Sequence, residues 1–135
     1  MKVFISSADQ DEKLARQIAA GLRKAGFEIF HDTYVLPGEN WADKIAQALR
    51  ESEAMVVLLT PEALQSNKVR RSIEYALGDV AYEGRLIPVV VGSPGEVPEE
   101  SLPWILQRLQ RVNLPERGKP EREIKQIARA LLNAA

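Results

Sequence analysis

The side chains that could do chemistry are few, and none contains a thiol. The chain has no cysteine and one histidine, His31, which excludes a disulfide framework, a thiolate nucleophile and a zinc site built from Cys and His. A reactive group must therefore be a hydroxyl, a carboxylate, or the side-chain nitrogen of Lys or Arg, and we expect no metal. One carboxylate, Glu74, lies in the helix-like stretch SNKVRRSIEYALGD and could act as a catalytic acid.

Charge and length limit the partners. The 135 residues include 18 Lys and Arg against 19 Asp and Glu, so the net charge of −1 creates no field that would attract nucleic acid or an anionic membrane. The start, Met1-Lys2 followed by VFIS, is too short for a secretory signal or a membrane span. We expect a cytoplasmic protein with one domain over residues 1–135. The ending Ala134-Ala135 suggests that a longer protein continues there.

Strand and helix patterns alternate along the chain. Apolar, β-branched runs predict strands at 2–6, 27–31, 54–60, 86–91 and 111–114. A helix should begin at Asp9, with Glu12 as its capping-box partner, and end at Gly26. Further helices should begin after Asn40, at Pro61 and again at Ser66, and a final helix should cover residues 121–133. The predicted core faces include some positions near helix ends: Ala25, Leu77, Val80 and Leu132.

This alternation predicts the fold. AMVVLLT is apolar on both faces, as in the centre of a parallel sheet covered by helices on each side. We therefore expect an α/β fold, a flavodoxin-like, doubly wound, five-stranded parallel sheet. Pro88 predicts that its strand lies near an edge or lacks a ladder hydrogen bond. A ligand should bind beyond the carboxyl ends of the strands, at the loops 6–11, 32–40, 60–68 and 92–100.

Three familiar functions of such sheets are excluded by these loops. The first loop, SSADQDE, has no glycine and cannot be a GxGxxG dinucleotide motif, and the chain contains no GxxxxGK phosphate loop. A phosphorelay receiver would carry its phosphorylated Asp at the end of the third strand, where this chain has Leu59-Thr60.

Several stretches in a common order resemble a known family. They are VFISS with DQDE, FEIFHD, LPGENWADKIAQAL, MVVLLTPEALQS and RLIPVVV, and together they are similar to a bacterial TIR (Toll/interleukin-1 receptor) domain from Lys2 to about Leu132. The resemblance implies either self-association through the long loop after the second strand or cleavage of the nicotinamide–ribose bond of NAD⁺. Cleavage needs a carboxylate beside the ribose, because positive charge grows on the sugar in the transition state.

The family places that carboxylate at the end of a Ser-x-Trp-x-x-x-Glu pattern. With Ser66 as the Ser, the Trp position holds Lys68 and the Glu position holds Ser72. Glu74 lies roughly 160° around the helix from Ser72. We therefore expect Glu74 on the opposite flank of the helix, in a solvent-exposed ion pair with Arg70. In that position it would be a poor substitute for the missing catalytic acid.

The other candidates follow from position and resemblance. The nucleotide-pocket candidates are Ser6, Ser7, Asp9, Trp41, Lys68 and Ser72. Asp9 and Asp11 are expected as helix caps rather than ligands, and His31 as a packed or hydrogen-bonded residue. Trp41 could be either a core anchor of its helix or a border of the pocket.

The loop 32–40 has the strongest case for a partner, because it carries consecutive apolar side chains that loops rarely expose. The predicted association loop is Tyr34, Val35, Leu36, Pro37, Gly38 and Glu39. We therefore predict a signalling module that binds other TIR domains, itself included, without a cofactor and with NAD⁺ cleavage lost. The alternatives are an NAD⁺ hydrolase with a displaced carboxylate, and binding of NAD⁺ or a cyclic nucleotide without turnover. A nucleoside deoxyribosyltransferase would need the same missing carboxylate.

Overall fold

The computed structural model describes residues 1–31, 41–78, 85–92, 95–102, 104–107, 109, 111–116 and 118–134. The strands are β1 Lys2–Ser6, β2 Glu28–His31, β3 Ala54–Leu59, β4 Leu86–Val91 and β5 Val112–Leu114. The helices are α1 Glu12–Lys24, α2 Trp41–Glu51, α3 Pro61–Leu64, α4 Asn67–Gly78, α5 Trp104–Gln107 and α6 Glu121–Ala134. Two short 3₁₀ helices cover Asp9–Asp11 and Glu99–Ser101. The order of elements agrees with the predicted alternation, except that α5 and the 3₁₀ helix Glu99–Ser101, between β4 and β5, were not predicted.

The strands form one parallel sheet in the order β2-β1-β3-β4-β5. This is the flavodoxin-like order, in which the chain winds to one side of β1 and then to the other. Strand β3 lies at the centre, and each of its residues is buried. Its apolar sequence is explained by helices that cover both faces of the sheet.

Alternate residues of the strands face two separate apolar cores. Val3, Ile5, Val56 and Leu58 pack with residues of α1 and α6 on one face. The other core is formed by Phe4, Met55, Val57 and Leu59 with residues of α2 and α4. Phe4 and Phe30 stack in the second core with ring centroids 5.6 Å apart. The polar residue that follows at the end of β1, Ser6, belongs by alternation to the α2–α4 face.

Helix α1 ends as predicted but begins differently. At its end the Gly26 amide donates to the Arg23 carbonyl and the Phe27 amide to the Leu22 carbonyl, with Gly26 at φ +99°, which is a Schellman motif. This termination leaves Ala25 exposed, so its predicted core position is wrong. No side-chain cap bond forms at the start, and the Glu12 carboxylate instead forms an ion pair with Arg16.

Pro88 lies in a strand that has neighbours on both sides. It is paired with Val57 of β3, whereas the described pairing of β4 with β5 begins one residue later, at Val89. The prediction of a strand near an edge is confirmed, because β4 is next to the edge strand β5. The ring thus lies where β4 has no partner on its outer side among the described residues.

Two leucines predicted in the core are exposed. Leu77 is 43% exposed and Leu132 is 65% exposed. Residues Ala76 and Leu131, one position before each, are the ones that pack against the sheet, and a step of roughly 100° turns the following residue outward. Val80 falls outside the described residues.

Candidate functional site

Polar side chains collect at the carboxyl ends of the first three strands. Ser6 ends β1 and Ser7 follows it, His31 ends β2, and Thr60 follows β3. All four are buried, although side chains of these types usually stay near solvent. Of these four residues, Ser6 and Ser7 are predicted nucleotide-pocket candidates, and Thr60 begins the loop 60–68 that is predicted to border a ligand site.

Two hydrogen bonds hold this buried cluster together. Ser7 Oγ and His31 Nε2 are 2.8 Å apart, and Thr60 Oγ1 donates to Asp11 Oδ2 at 2.6 Å. Thr60 Oγ1 also accepts from the Ala63 amide at 3.0 Å, so it is the N-cap of α3, as predicted. The hydrogen-bonded role expected for His31 is confirmed.

Asp9 and Asp11 do not cap a helix through their side chains, so that prediction is wrong. Asp11 is buried and turns towards Thr60, whereas Asp9 is exposed and forms an ion pair with Lys68, with 2.7 Å between Oδ1 and Nζ. The loop after β1 is thus joined to β3 and to α4. Contacts between such distant positions carry no local sequence signal.

Ser72 lies in α4 on the side that faces the protein. It is 4% exposed, and its Oγ donates to the Lys68 carbonyl at 3.1 Å. The hydroxyl is thus satisfied within the helix. The position at which the sequence resemblance predicts a catalytic acid therefore holds a neutral side chain that is bonded within its own helix.

Glu74 faces the other flank of α4, as the helix geometry predicts. It is exposed and lines a groove with Leu64, Val69 and Leu77. The expected ion pair with Arg70 does not form; Arg70 Nη2 instead donates to the Leu64 carbonyl at 3.4 Å. Glu74 therefore has no place in the polar cluster.

One atom of the cluster is unsatisfied. Ser6 Oγ is buried and has no hydrogen-bond partner among the described residues. Buried hydroxyls in native proteins are usually paired. A polar ligand could supply this partner.

A cavity of about 470 Å³ opens at the same edge of the sheet. Its lining includes the polar residues Asp9, Gln10, Glu62 and Ser66 together with Pro61. Within the part of the chain that the structure describes, no group of His, Asp and Glu could hold a metal ion.

Two predicted elements of the site involve residues or side chains that the structure does not describe. Trp41 is the first residue of α2, but its side chain is not described. The association loop 34–39 lies outside the described residues.

None of the helices that the structure describes is long and apolar enough to span a membrane.

Sequence comparison identifies a family. A family model described as TIR domain matches residues 3–131. No curated protein matches the sequence.

Several solved structures share the fold. The TIR-STING receptor of C. gigas, solved in complex with 2′,3′-cGAMP, is 26% identical with a TM-score of 0.78. The alignment covers 96% of this chain but only 38% of the receptor. The TIR domain of the Toll-related receptor TRR-2 from Hydra magnipapillata is 19% identical, with a TM-score of 0.69 and coverage of 97% of this chain and 94% of that one. The CMP N-glycosidase BcmB of Clostridium botulinum is 13% identical, with a TM-score of 0.60 and coverage of 93% and 98%.

Proposed function

The chain belongs to the TIR domain family, and from this premise we propose that it is a cytoplasmic signalling module of bacterial immunity that binds other TIR domains and no longer cleaves NAD⁺. Copies of the same chain are its first partners. The association loop, residues 34–39, is the main contact element. The support for that loop is its run of apolar residues, Tyr34, Val35 and Leu36.

The observation that carries the loss of catalysis is the state of Ser72. A transition state with positive charge on the ribose needs a fixed anion nearby, and a hydroxyl that donates to a backbone carbonyl supplies none. Lys68, at the family's Trp position, adds a cation that is paired with Asp9. Both differences disfavour an oxocarbenium-like state at this place.

Nicotinamide release tests the loss of catalysis. Purified protein at high concentration, incubated with NAD⁺, should release no nicotinamide above a protein-free control. The double variant Ser72→Glu with Lys68→Trp should gain activity, whereas Ser72→Gln with Lys68→Trp, matched in size but neutral, should not. Turnover by the native chain that disappears in Glu74→Ala would contradict the proposal.

Light scattering tests the association. The native chain should form assemblies that grow with concentration, and Leu36→Asp should weaken them. Thr33→Asp adds the same charge in the same loop without removing an apolar side chain, and should weaken them less. Equal masses for the native chain and Leu36→Asp would count against the loop.

A second candidate function is binding of NAD⁺ without cleavage, and it is favoured by the buried Ser6 hydroxyl, which has no hydrogen-bond partner among the described residues. Calorimetric titration with NAD⁺ should then give saturable heat that Ser6→Val reduces. If NAD⁺ is cleaved only in an assembly, with a carboxylate from a neighbouring copy, turnover per molecule will rise with protein concentration and survive in Glu74→Ala.

A further inference from the structure

The flank of α4 that faces away from the polar cluster borders an apolar groove. The groove has a volume of about 420 Å³ and lies between α3, α4 and the segment before α5. Its lining includes Leu64, Val69, Ile73 and Leu77. Leu77 is 43% exposed, so the groove presents apolar surface to solvent.

Two charged residues of α4 also line the groove. Arg70 donates to the Leu64 carbonyl and so is directed towards α3. Glu74 has neither a hydrogen bond nor an ion pair within the described part of the chain, and it lies three positions before Leu77, on the same side of the helix. The groove thus offers an apolar site with an available carboxylate beside it.

A complementary surface occurs on α6. Among the described residues, the exposed large apolar side chains are Leu77 and Leu132, and Leu132 is 65% exposed. Arg129 lies three positions before it and Lys125 four positions before that, both exposed. This spacing places the cations and Leu132 along one side of α6. The pair Arg129 and Leu132 therefore repeats the spacing of Glu74 and Leu77 with the opposite charge.

We propose that α6 of one copy of the chain docks into the α4 groove of a second copy, with Leu132 beside Leu77 and Arg129 opposite Glu74. This inference rests on the proposed self-association and adds a second contact surface to it. The two surfaces of the contact are different, so the contact is heterologous: each copy keeps one unused groove and one unused α6 surface. Repetition of the contact builds a chain or a closed ring of subunits rather than a dimer.

The chain carries on its own surface a partner complementary to the groove, and a second copy is therefore the occupant. An apolar groove next to a carboxylate accepts an apolar side chain that has a cation close by. The α6 surface supplies both groups, and burial of both leucines in one contact would remove apolar surface from water. A charge pair at the edge of that contact fixes the orientation of the two copies.

The first test removes the apolar groups. In sedimentation velocity, Leu77→Asp and Leu132→Asp should each raise the dissociation constant for self-association at least about tenfold, because a charge is placed in an apolar contact. Gln126→Asp, which adds the same charge to an exposed position of α6 roughly 120° away from Leu132, is the matched control and should associate as the native chain does. Unchanged thermal unfolding would show that the variants fold.

Mixing the two variants tests the heterologous geometry. Leu77→Asp keeps an intact α6 surface and Leu132→Asp keeps an intact groove. An equimolar mixture should therefore form one-to-one pairs through this contact that neither variant forms alone. An isologous contact that involves either surface would show no such recovery.

A charge exchange tests the pairing of Glu74 with Arg129. Glu74→Arg and Arg129→Glu should each weaken association several-fold, and the double variant should recover most of the loss. Lys13→Glu makes the same charge change as Arg129→Glu on the exposed side of α1 and should have little effect. Failure of the double variant to recover would overturn this pairing.

The outcomes separate this inference from the proposed function. Native-like association of both leucine variants, together with disruption by Leu36→Asp, would overturn the α4–α6 contact and leave self-association through the loop. Loss of association in the leucine variants with recovery in the mixture supports the contact. A native chain that stays monomeric at every concentration overturns both.

Discussion

Ser72 and Glu74 are two positions apart in α4 and face opposite flanks, whose surroundings differ. On the Ser72 flank the polar groups pair with each other: Ser72 with its own helix, Lys68 with Asp9, and Thr60 with Asp11. On the Glu74 flank the carboxylate lacks a partner within the described residues and borders an apolar groove. The Ser72 hydroxyl is therefore satisfied within its own helix, whereas the opposite side of the same helix presents apolar surface beside a carboxylate.

This contrast implies different consequences of substitution. Changes on the Ser72 flank should mainly lower the free energy of unfolding, because they leave buried partners unsatisfied. Changes on the Glu74 flank should leave that free energy nearly unchanged and alter association.

Thr60→Val should have the largest effect. The hydroxyl of Thr60 donates to the buried Asp11 carboxylate and caps α3, and an isosteric valine does neither. Loss of a hydrogen bond to a buried charge together with an N-cap should lower the free energy of unfolding by about 2–4 kcal/mol, as measured by urea denaturation. Thr60→Ser retains the hydroxyl and should lose much less. A valine variant as stable as the native chain would show that the cluster contributes little.

Lys68→Met should have a smaller effect. The Lys68 side chain is 21% exposed, but the side chain of its partner Asp9 is 90% exposed, so solvent screens the pair. We expect a loss of about 0.5 kcal/mol, which should shrink further in 1 M salt. Lys13→Met removes a positive charge at an exposed position of α1 and controls for net charge. A loss several times larger would mean that the ion pair holds the first loop in place.

How far the sequence predicts this contrast depends on how many positions along the chain separate the residues that contact each other. The opposite orientations of Ser72 and Glu74 follow from the angle between helix positions, and the buried β3 follows from its apolar run. The bond from Thr60 to Asp11 joins residues 49 positions apart and depends on how the first loop turns, which no local pattern records. The exposure of Leu77 and Leu132 was missed because helical periodicity does not show how much of a helix its neighbours cover.

Glu74→Gln should barely change stability. The carboxylate is exposed and forms no ion pair with Arg70, so the free energy of unfolding should stay within about 0.5 kcal/mol of the native value. The same variant should weaken self-association, because it removes the charge opposite Arg129. The pair of measurements therefore distinguishes the two flanks within one helix. A clear loss of stability would mean that Glu74 has a structural role in the fold.

The smallest effect is expected at Glu51, an exposed carboxylate that shows what a charge contact does outside the buried core. Its pKa is lowered from the ordinary value, first by a hydrogen bond from Gln47 and then by the Lys2 ammonium 2.9 Å away. A lowered pKa in the folded state means that the carboxylate stabilises the fold above its ordinary titration range and loses this contribution as the pH falls through the lowered value. In an NMR titration, Gln47→Met and Lys2→Met should each move the Glu51 pKa upward, because each removes a contact that favours the ionised carboxylate. Because solvent screens the group, neither variant should shift the unfolding midpoint measurably, in contrast to Thr60→Val. If Gln47→Met or Lys2→Met shifted the unfolding midpoint as much as Thr60→Val does, an exposed contact would stabilise the fold as much as a buried one. Burial would then not explain why the two flanks of α4 respond differently to substitution.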